Sequence, residues 1–507
     1  MFAQSLARTA QIFGNRPAVI SPTGQVTWRE FSDQIQSVAK GLRNLGLEPG
    51  DRVAVLAENS VEHLTIMYAV AWAGCVLVPL NTRLSPHEMT QIAKEAGVAA
   101  LAGDSKNKNA FLSLVGAVDQ TLELIDLEGD TGLGAPLGEL VDNDGLDPWM
   151  AEMSDIAALF YTGGTTGRPK GVMVSDGALT VQTLNLVNDL SISSETVYVH
   201  APPIFHLAGA GVSHACSFTG ATHIFPAELS PETFIRTVTD YTVTLVSLIP
   251  TMLADMMEAP NVREAFKAVQ TIVYGAAPIS EALLRKVIGQ CPDVNLVQIY
   301  GQTECTGPCL ILPPERHTLS GPLAGKLNTA GRANMTSEVR IADETGKPTG
   351  PGVAGEVLIR GPSVMQGYWK QPEITEQTMK DGWLHTGDVG VMDTDGYIRI
   401  VDRLKDMIVT GGENVFCGEV ENAISEHPDA IACAVVGIPD EKWGERVHAF
   451  VVVTEETILT EGMLRDHCKT LLAGYKCPRS ATFTTESLPL SAVGKVRKDL
   501  LRNQITG

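Results

Sequence analysis

The stretch Tyr161–Val172, YTGGTTGRPKGV, directly follows the apolar run AALF at 157–160. Gly163, Gly164, Gly167 and Gly171 free successive backbone N–H groups to surround phosphate oxygens. Thr162, Thr165 and Thr166 add hydroxyl donors, and Lys170 adds a point charge. The stretch therefore reads as a phosphate-cradling loop behind a buried strand. Arg168 and Pro169 separate Gly167 from Lys170, so the GxxxxGK spacing of a P-loop nucleoside triphosphatase cannot be laid on it. GLGAPLG, from Gly132, is GxGxxxG in a loop-like stretch behind no convincing strand, which argues against a Rossmann dehydrogenase.

Working outward, helical spacing at 27–45, a β-rich run at 52–56 and another helical run at 61–72 begin an alternation. It continues with strands at 155–161, 198–202, 221–225, 244–249 and 270–273 and a long run from Ala178. Alternation of this kind predicts an α/β fold, a large N-terminal body of parallel sheet layered with helices. From about Gly331 short strands and turns (EVRI, GEVLIRG, DGYIRIV) predict a small β lobe over 331–402. Beyond Arg403 come a turn-rich loop (TGGENV), a helix at 418–426, strands at 431–437 and 447–454, a helix at 461–472 and a strand near Ala481. These form a C-terminal α+β domain of about 100 residues. The expected division is 1–402 and 403–507.

The 507 residues are 44% hydrophobic and 19% charged, the balance of an ordinary folded enzyme. A net charge of −21 repels phosphate backbones and anionic lipids, so nucleic acid is not an expected partner. Nine scattered cysteines without a CxxC pair fit a reducing compartment and argue against zinc or disulfide frameworks. The N-terminus, MFAQSLARTAQIFGNRP, lacks the apolar core of a signal peptide. The longest apolar stretch, 66–80, is 15 residues, short of the ~20 that cross a bilayer, and reads as a buried helix followed by a strand. A cytoplasmic protein without a transmembrane segment is expected. Over 465–502 eight basic residues face three acidic ones, a cationic tail that reads as a local anion site.

Seven motifs in order carry a resemblance that covers essentially the whole chain: YTGGTTGRPKGV, PPIFHLAG from Pro202, YGAAP from Tyr274, YGQTE from Tyr300, GWLHTGD from Gly382, DRLKDMIVTGGENV from Asp402 and GKVRK from Gly494. Together they resemble the adenylate-forming superfamily, specifically its AMP-forming acyl-CoA synthetases. The resemblance implies ATP, Mg²⁺ and CoA as cofactors, and a small-molecule carboxylic acid as substrate. It implies that Thr162, Gly163, Gly164, Thr165, Thr166, Gly167 and Lys170 meet the phosphates. Tyr300 would stack on adenine, with Gly275, Ala276, Ala277 and Pro278 on the base's other side. Gly301, Gln302 and Thr303 complete the ATP/AMP segment, Thr303 as a phosphate donor. Glu304, a hard oxygen ligand, would hold Mg²⁺. Asp388 resembles the ribose-binding carboxylate, able to accept from both hydroxyls, and Arg403 would reach the same side of the nucleotide. Lys495 would be the catalytic lysine, stabilising charge on the pentacoordinate phosphorus.

In this family the C-terminal domain rotates between two reactions, and Lys405 occupies the hinge position. In the second pose Gly411, Gly412 and Glu413 would approach the pantetheine tunnel, Trp443 would pack along the pantetheine arm, and Tyr475, Lys476 and Arg479 would meet the nucleotide end of CoA. His206 resembles the histidine whose ring gates the acyl pocket, counted here with the catalytic residues, whereas His214 reads as packing. Gly163, Asp176 and Cys477 depart from the usual Ser, the frequent His and a basic residue of some relatives, respectively.

The acid is read from HLAGAGVSHACSFTG, 206–220, which is small, mostly uncharged and without Arg or Lys. A dicarboxylate such as malonate would leave a buried charge unpaired. Small side chains leave room for a fatty chain or an arylpropenoic acid. Other readings are an amino-acid adenylation domain, a light-emitting oxygenase and a nucleotide-binding sensor without catalysis. The first would want an aspartate after the aromatic of PPIF, where His206 stands, and normally a following carrier domain, whereas this chain stops at Gly507. Retention of Lys170, Glu304, Asp388, Arg403 and Lys495 argues against the sensor. Homodimerisation is left open.

Overall fold

The computed structural model describes residues 2–118, 121–129, 131–142, 144–162, 169–404, 406–410, 413–490 and 496–506. The chain forms two compact units, Met1–Val339 with Ile359–Leu384, and Arg340–Leu358 with His385–Gly507.

Local chemistry sets the first elements of the larger unit. Thr27 caps the helix Trp28–Asn44 in a capping box: the Glu30 amide donates to Thr27 Oγ1, and the Thr27 amide donates to the Glu30 carboxylate. The strand Arg52–Leu56 follows, then the helix Val61–Trp72 capped by Ser60. The 66–80 stretch is the second half of that helix and the buried strand Val76–Pro79, as its composition predicts. The chain turns between them at Gly74, whose φ of +77° favours glycine.

Two mainly parallel sheets result. A seven-stranded sheet pairs Arg52–Leu56 in parallel with Val76–Pro79 and Val98–Gly103, and its far edge is the antiparallel pair Ile156–Thr162 and Lys170–Ser175. A nine-stranded sheet runs parallel through Asn295–Gln302, Thr271–Gly275, Leu245–Leu248, Val197–Val199, Thr222–Ile224 and Pro17–Ser21. Helices such as Pro231–Asp240 and Glu281–Gln290 cover it, burying Val246, Ile272, Phe234 and Leu284 in one core. Ligands of such sheets bind beyond the carboxyl ends of the strands. There the motifs PPIFH, GAAP and QTE leave Val197–Val199, Thr271–Gly275 and Asn295–Gln302.

In the smaller unit, strands Ala432–Asp440, Gly444–Val452 and Ser480–Thr484 pack on helices Cys417–Ser425 and Glu461–Leu471 around Val435, Val447, Val451, Val420, Ile424 and Leu464. Two expectations change. The loop at TGGENV is flanked by paired strands, Ile408–Thr410 and Glu413–Val415, because β-branched side chains on both sides favour extended backbone. The short-strand region also holds one helix, Pro372–Thr378, opened by a proline whose missing N–H costs nothing at that position. Among the described residues no helix is long and apolar enough to cross a membrane.

Candidate active site

The described residues on either side of 163–168 are antiparallel strands, with Thr162 opposite Lys170, so a strand and not a helix begins at Lys170. This agrees with the failure of the glycine loop to fit a P-loop. Gly163, Gly164, Thr165, Thr166 and Gly167 lie outside the described residues, as do Lys405, Gly411, Gly412 and Lys495. Lys170 is half-buried, and its Nζ lies 5.1 Å from the centroid of the Tyr368 ring.

At the carboxyl end of Thr271–Gly275 the GAAP turn is exposed over Ala276 and Pro278, and Ala276 holds a φ of +65°, a left-handed conformation that costs an alanine energy. Gly275 is required by close approach, since a Cβ there would sit 2.2 Å from the Ile299 carbonyl oxygen. The neighbouring strand ends in half-buried Tyr300, exposed Gly301 and half-buried Gln302, and half-buried Thr303 begins the turn that follows. A Cβ on Gly301 would meet the Gly307 carbonyl at 2.0 Å. Gln302 Nε2 is buried with no partner among the described residues, a donor suited to a bound group. Glu304, only 9% exposed, accepts a 2.8 Å hydrogen bond on Oε1 from the Tyr368 hydroxyl. Burial, and then the charge of Glu304, pushes that hydroxyl well above its ordinary pKa, so it stays a donor.

No group of three or more His, Cys, Asp or Glu side chains forms a metal cage among the described residues. Mg²⁺ does not demand one, since it is commonly held by one or two carboxylates with substrate phosphates and water completing the octahedron. A single buried carboxylate, that of Glu304, fits that requirement.

His206 precedes the helix Leu207–Thr219, its Nε2 3.4 Å from Asn81 Nδ2, and its ring packs edge-on to Phe205. The preceding turn is pinned by Asn59, which donates to the Pro202 carbonyl and accepts from the Ile204 amide. His214 is packed against Phe2 and Tyr68, as expected. Three glycines of the segment 206–220 do not leave open space beside them. A Cβ on Gly209 would strike the Pro203 carbonyl, one on Gly211 would crowd Leu186, and one on Gly220 would meet Phe13. Protein atoms occupy that volume, so these glycines say nothing about the size of the acid.

In the smaller unit Asp388 and Arg403 meet directly. They are paired residues of antiparallel strands, and Arg403 Nε lies 2.6 Å from Asp388 Oδ1. The strand Trp383–Met392 is held just before Asp388 by Glu356, which accepts from the Gly387 amide and lies 2.7 Å from His385 Nδ1. Among the CoA candidates, the Arg479 guanidinium lies 4.4 Å from the centroid of the half-buried Trp443 ring, while Glu413 and Tyr475 are exposed. Lys476 is ion-paired with Glu419 at 2.7 Å.

Much of the cationic tail is already paired in the fold. Lys498 is paired with Glu421, Arg497 with Asp499 and Lys469 with Asp466; Arg465 and Arg502 donate to backbone carbonyls. Glu419 and Glu421, which lie outside the counted segment, pair with Lys476 and Lys498, while Lys495 lies outside the described residues.

Sequence reasoning missed Tyr368 and Glu356. Tyr368 had a signal in MQGYWK, where a tyrosine follows a glycine between a strand and a helix: a buried phenol normally finds a partner. Glu356 had a weaker one, an acid within the apolar strand GEVLIRG.

A family model described as AMP-binding enzyme matches residues 6–369, and one described as AMP-binding enzyme C-terminal domain matches residues 419–495. The chain belongs to the AMP-binding enzyme family. The enzyme is 35% identical over 500 residues to a feruloyl-CoA synthase of an Amycolatopsis species, covering 98% of this chain and 97% of that one. It is 32% identical over 516 residues to a fatty acid–[acyl-carrier-protein] ligase of Streptomyces coeruleorubidus, covering 99% and 97%. Its fold matches that of o-succinylbenzoate coenzyme A synthetase from Bacillus subtilis in complex with ATP and magnesium ion, with a TM-score of 0.85, 28% identity and 99% of each chain covered. The enzyme is an AMP-forming acid–thiol ligase of the acyl-CoA synthetase class, a class that uses ATP, Mg²⁺ and CoA.

Proposed function

We propose that the enzyme activates an arylpropenoic or fatty acid with ATP and passes the acyl group to CoA. In the first step a carboxylate oxygen bonds to the α-phosphorus, and the bond to the departing pyrophosphate breaks. In the second the CoA sulfur bonds to the acyl carbon, the thiol proton passes to water, and the bond to AMP breaks. The mixed anhydride is reactive enough for a thiol, so no protein nucleophile is required.

The observation that carries this reading is the convergence within the larger unit. The GAAP turn, Tyr300 and Glu304 follow neighbouring parallel strands, and Lys170 and Glu304 share one phenol, that of Tyr368. In this reading Tyr300 and residues 275–278 hold adenine, Lys170 and Thr303 meet phosphate oxygens, and Glu304 holds Mg²⁺, which when bound neutralises phosphate charge. Asp388, with Arg403 beside it, takes the ribose, Lys495 meets the α-phosphate and His206 borders the acid. Residues 1–402 serve as the adenylation body and 403–507 as the mobile domain hinged at Lys405. Gly411, Gly412, Glu413, Trp443, Tyr475 and Arg479 face CoA, while Lys476 must first leave Glu419 to do so.

An arylpropenoic acid is supported by the relative named feruloyl-CoA synthase and by the absence of Arg and Lys from 206–220. The proposed setting is the cytoplasm, and sedimentation velocity decides between monomer and homodimer. The test is hydroxamate formation across short, medium and long-chain fatty acids and hydroxycinnamates. The reading expects capture with a hydroxycinnamate or fatty acid and none with malonate. No capture with any acid would favour the nucleotide sensor.

A further inference from the structure

The segment 365–371, MQGYWKQ, belongs to none of the roles assigned above, yet it joins two of the charged groups they use. It lies along the strand Lys170–Ser175. The Met173 amide donates to the Gly367 carbonyl, the Gln366 amide to the Met173 carbonyl and the Trp369 amide to the Gly171 carbonyl, while Tyr368 bridges to Val172. One end is fastened to Glu304, whose carbonyl accepts from the Met365 amide at 2.8 Å. The other reaches the glycine loop, where Gln371 Nε2 donates to the Pro169 carbonyl and to Glu95. Gly367, with a φ of +143°, permits the bend that turns the next side chain inward. Tyr368 is thereby buried, its hydroxyl 2.8 Å from Glu304 Oε1 and its ring 5.1 Å from Lys170 Nζ.

We propose that Tyr368 is a positioning residue for both charged groups of the phosphate site. Its hydroxyl orients the Glu304 carboxylate for the metal, and its ring face holds the Lys170 ammonium for the phosphates. This rests on the roles given above to Glu304 and Lys170. The hydroxyl occupies one carboxylate oxygen and directs the plane of the other, as outer partners of metal ligands do. The ring attracts an ammonium without neutralising it, so the charge of Lys170 stays available to an anion.

The two functions separate in two variants of the full chain. Mn²⁺ affinity is read by electron paramagnetic resonance in the presence of α,β-methylene ATP, and affinity for that nucleotide is read by calorimetry in EDTA. Tyr368→Phe keeps the ring and should weaken Mn²⁺ binding about tenfold while leaving metal-free nucleotide affinity unchanged. Tyr368→Leu loses the ring and should weaken metal-free nucleotide binding as well. A tyrosine with only a packing role would lower thermal stability and kcat without altering Mn²⁺ affinity, and that result overturns the proposal. So does wild-type Mn²⁺ affinity in Tyr368→Phe when Glu304→Gln has lost it. Wild-type Mn²⁺ affinity in Glu304→Gln itself would instead remove the metal role of Glu304, and the proposal with it.

Discussion

Lys170 in the larger unit and Lys476 in the smaller one are both lysines singled out as anion contacts, and their surroundings differ in kind. Lys170 faces a neutral aromatic ring, whereas Lys476 is tied to the Glu419 carboxylate. The same holds for their neighbours: Glu304 is oriented by a phenol, while Lys498, Arg497 and Lys469 are each paired with an acid. A charge held by neutral groups remains available to a ligand. A lysine already paired with an acid must give up that partner to meet a ligand.

The sharpest way to break this contrast lies in the smaller unit, where one lysine is expected to act on the substrate. Lys495→Ala should slow acyl-AMP formation about 100- to 1000-fold while sparing thioester formation from supplied acyl-AMP. Measured half-reactions that fall equally would contradict its role.

Next in size is a difference in acid stability. The larger unit buries a hydrogen-bonded chain from Tyr68 through Ser217 and His223 to His200. Burial holds His63 and His317 down to about 4, His214 and His223 to about 3, and His200 well below its usual value. A histidine depressed in the fold gives stability that is complete above about 6.5 and drains as pH falls toward its folded value. For His63 alone that amounts to roughly 3 kcal/mol between pH 6.5 and 4. In the smaller unit only one such histidine is found among the described residues, His448, lowered to about 4; half-buried Asp402 there and half-buried Asp189 in the larger unit have raised pKa values that acidification relieves. Hydrogen exchange at pH 7 and pH 5 should therefore show amides of the larger unit losing protection first.

Asp388→Asn should raise KM for ATP by about tenfold to a hundredfold, or roughly 1–3 kcal/mol, because Asp388 is buried and Arg403 loses its charged partner. The smallest effect is expected from Lys476→Ala. A partly exposed ion pair contributes under about 1 kcal/mol, so stability should change little. KM for CoA should rise less than in Arg479→Ala. A larger rise in Lys476→Ala would show that this lysine leaves Glu419 for CoA and would erase the contrast.

Legibility in the sequence followed the length scale of the interaction. The helix Trp28–Asn44 and the strands Arg52–Leu56 and Thr271–Gly275 were readable because capping, periodicity and glycine placement are local. YGQTE and YGAAP were readable as motifs because a strand end delivers its residues in one short run. Tyr368 meets Glu304, 64 positions away, because residues 365–371 are hydrogen-bonded along the strand Lys170–Ser175, and no local pattern announces that. At Gly209, Gly211 and Gly220 the space expected beside small side chains is taken by atoms of Pro203, Leu186 and Phe13.

The central claim is that an acid and ATP react at the strand ends of the larger unit before any thiol takes part. Exchange of labelled pyrophosphate into ATP, with no CoA present, tests it most directly. The account predicts exchange that requires a hydroxycinnamate or fatty acid and is lost in Glu304→Gln. Exchange that persists in Glu304→Gln, or that no acid supports, would contradict it.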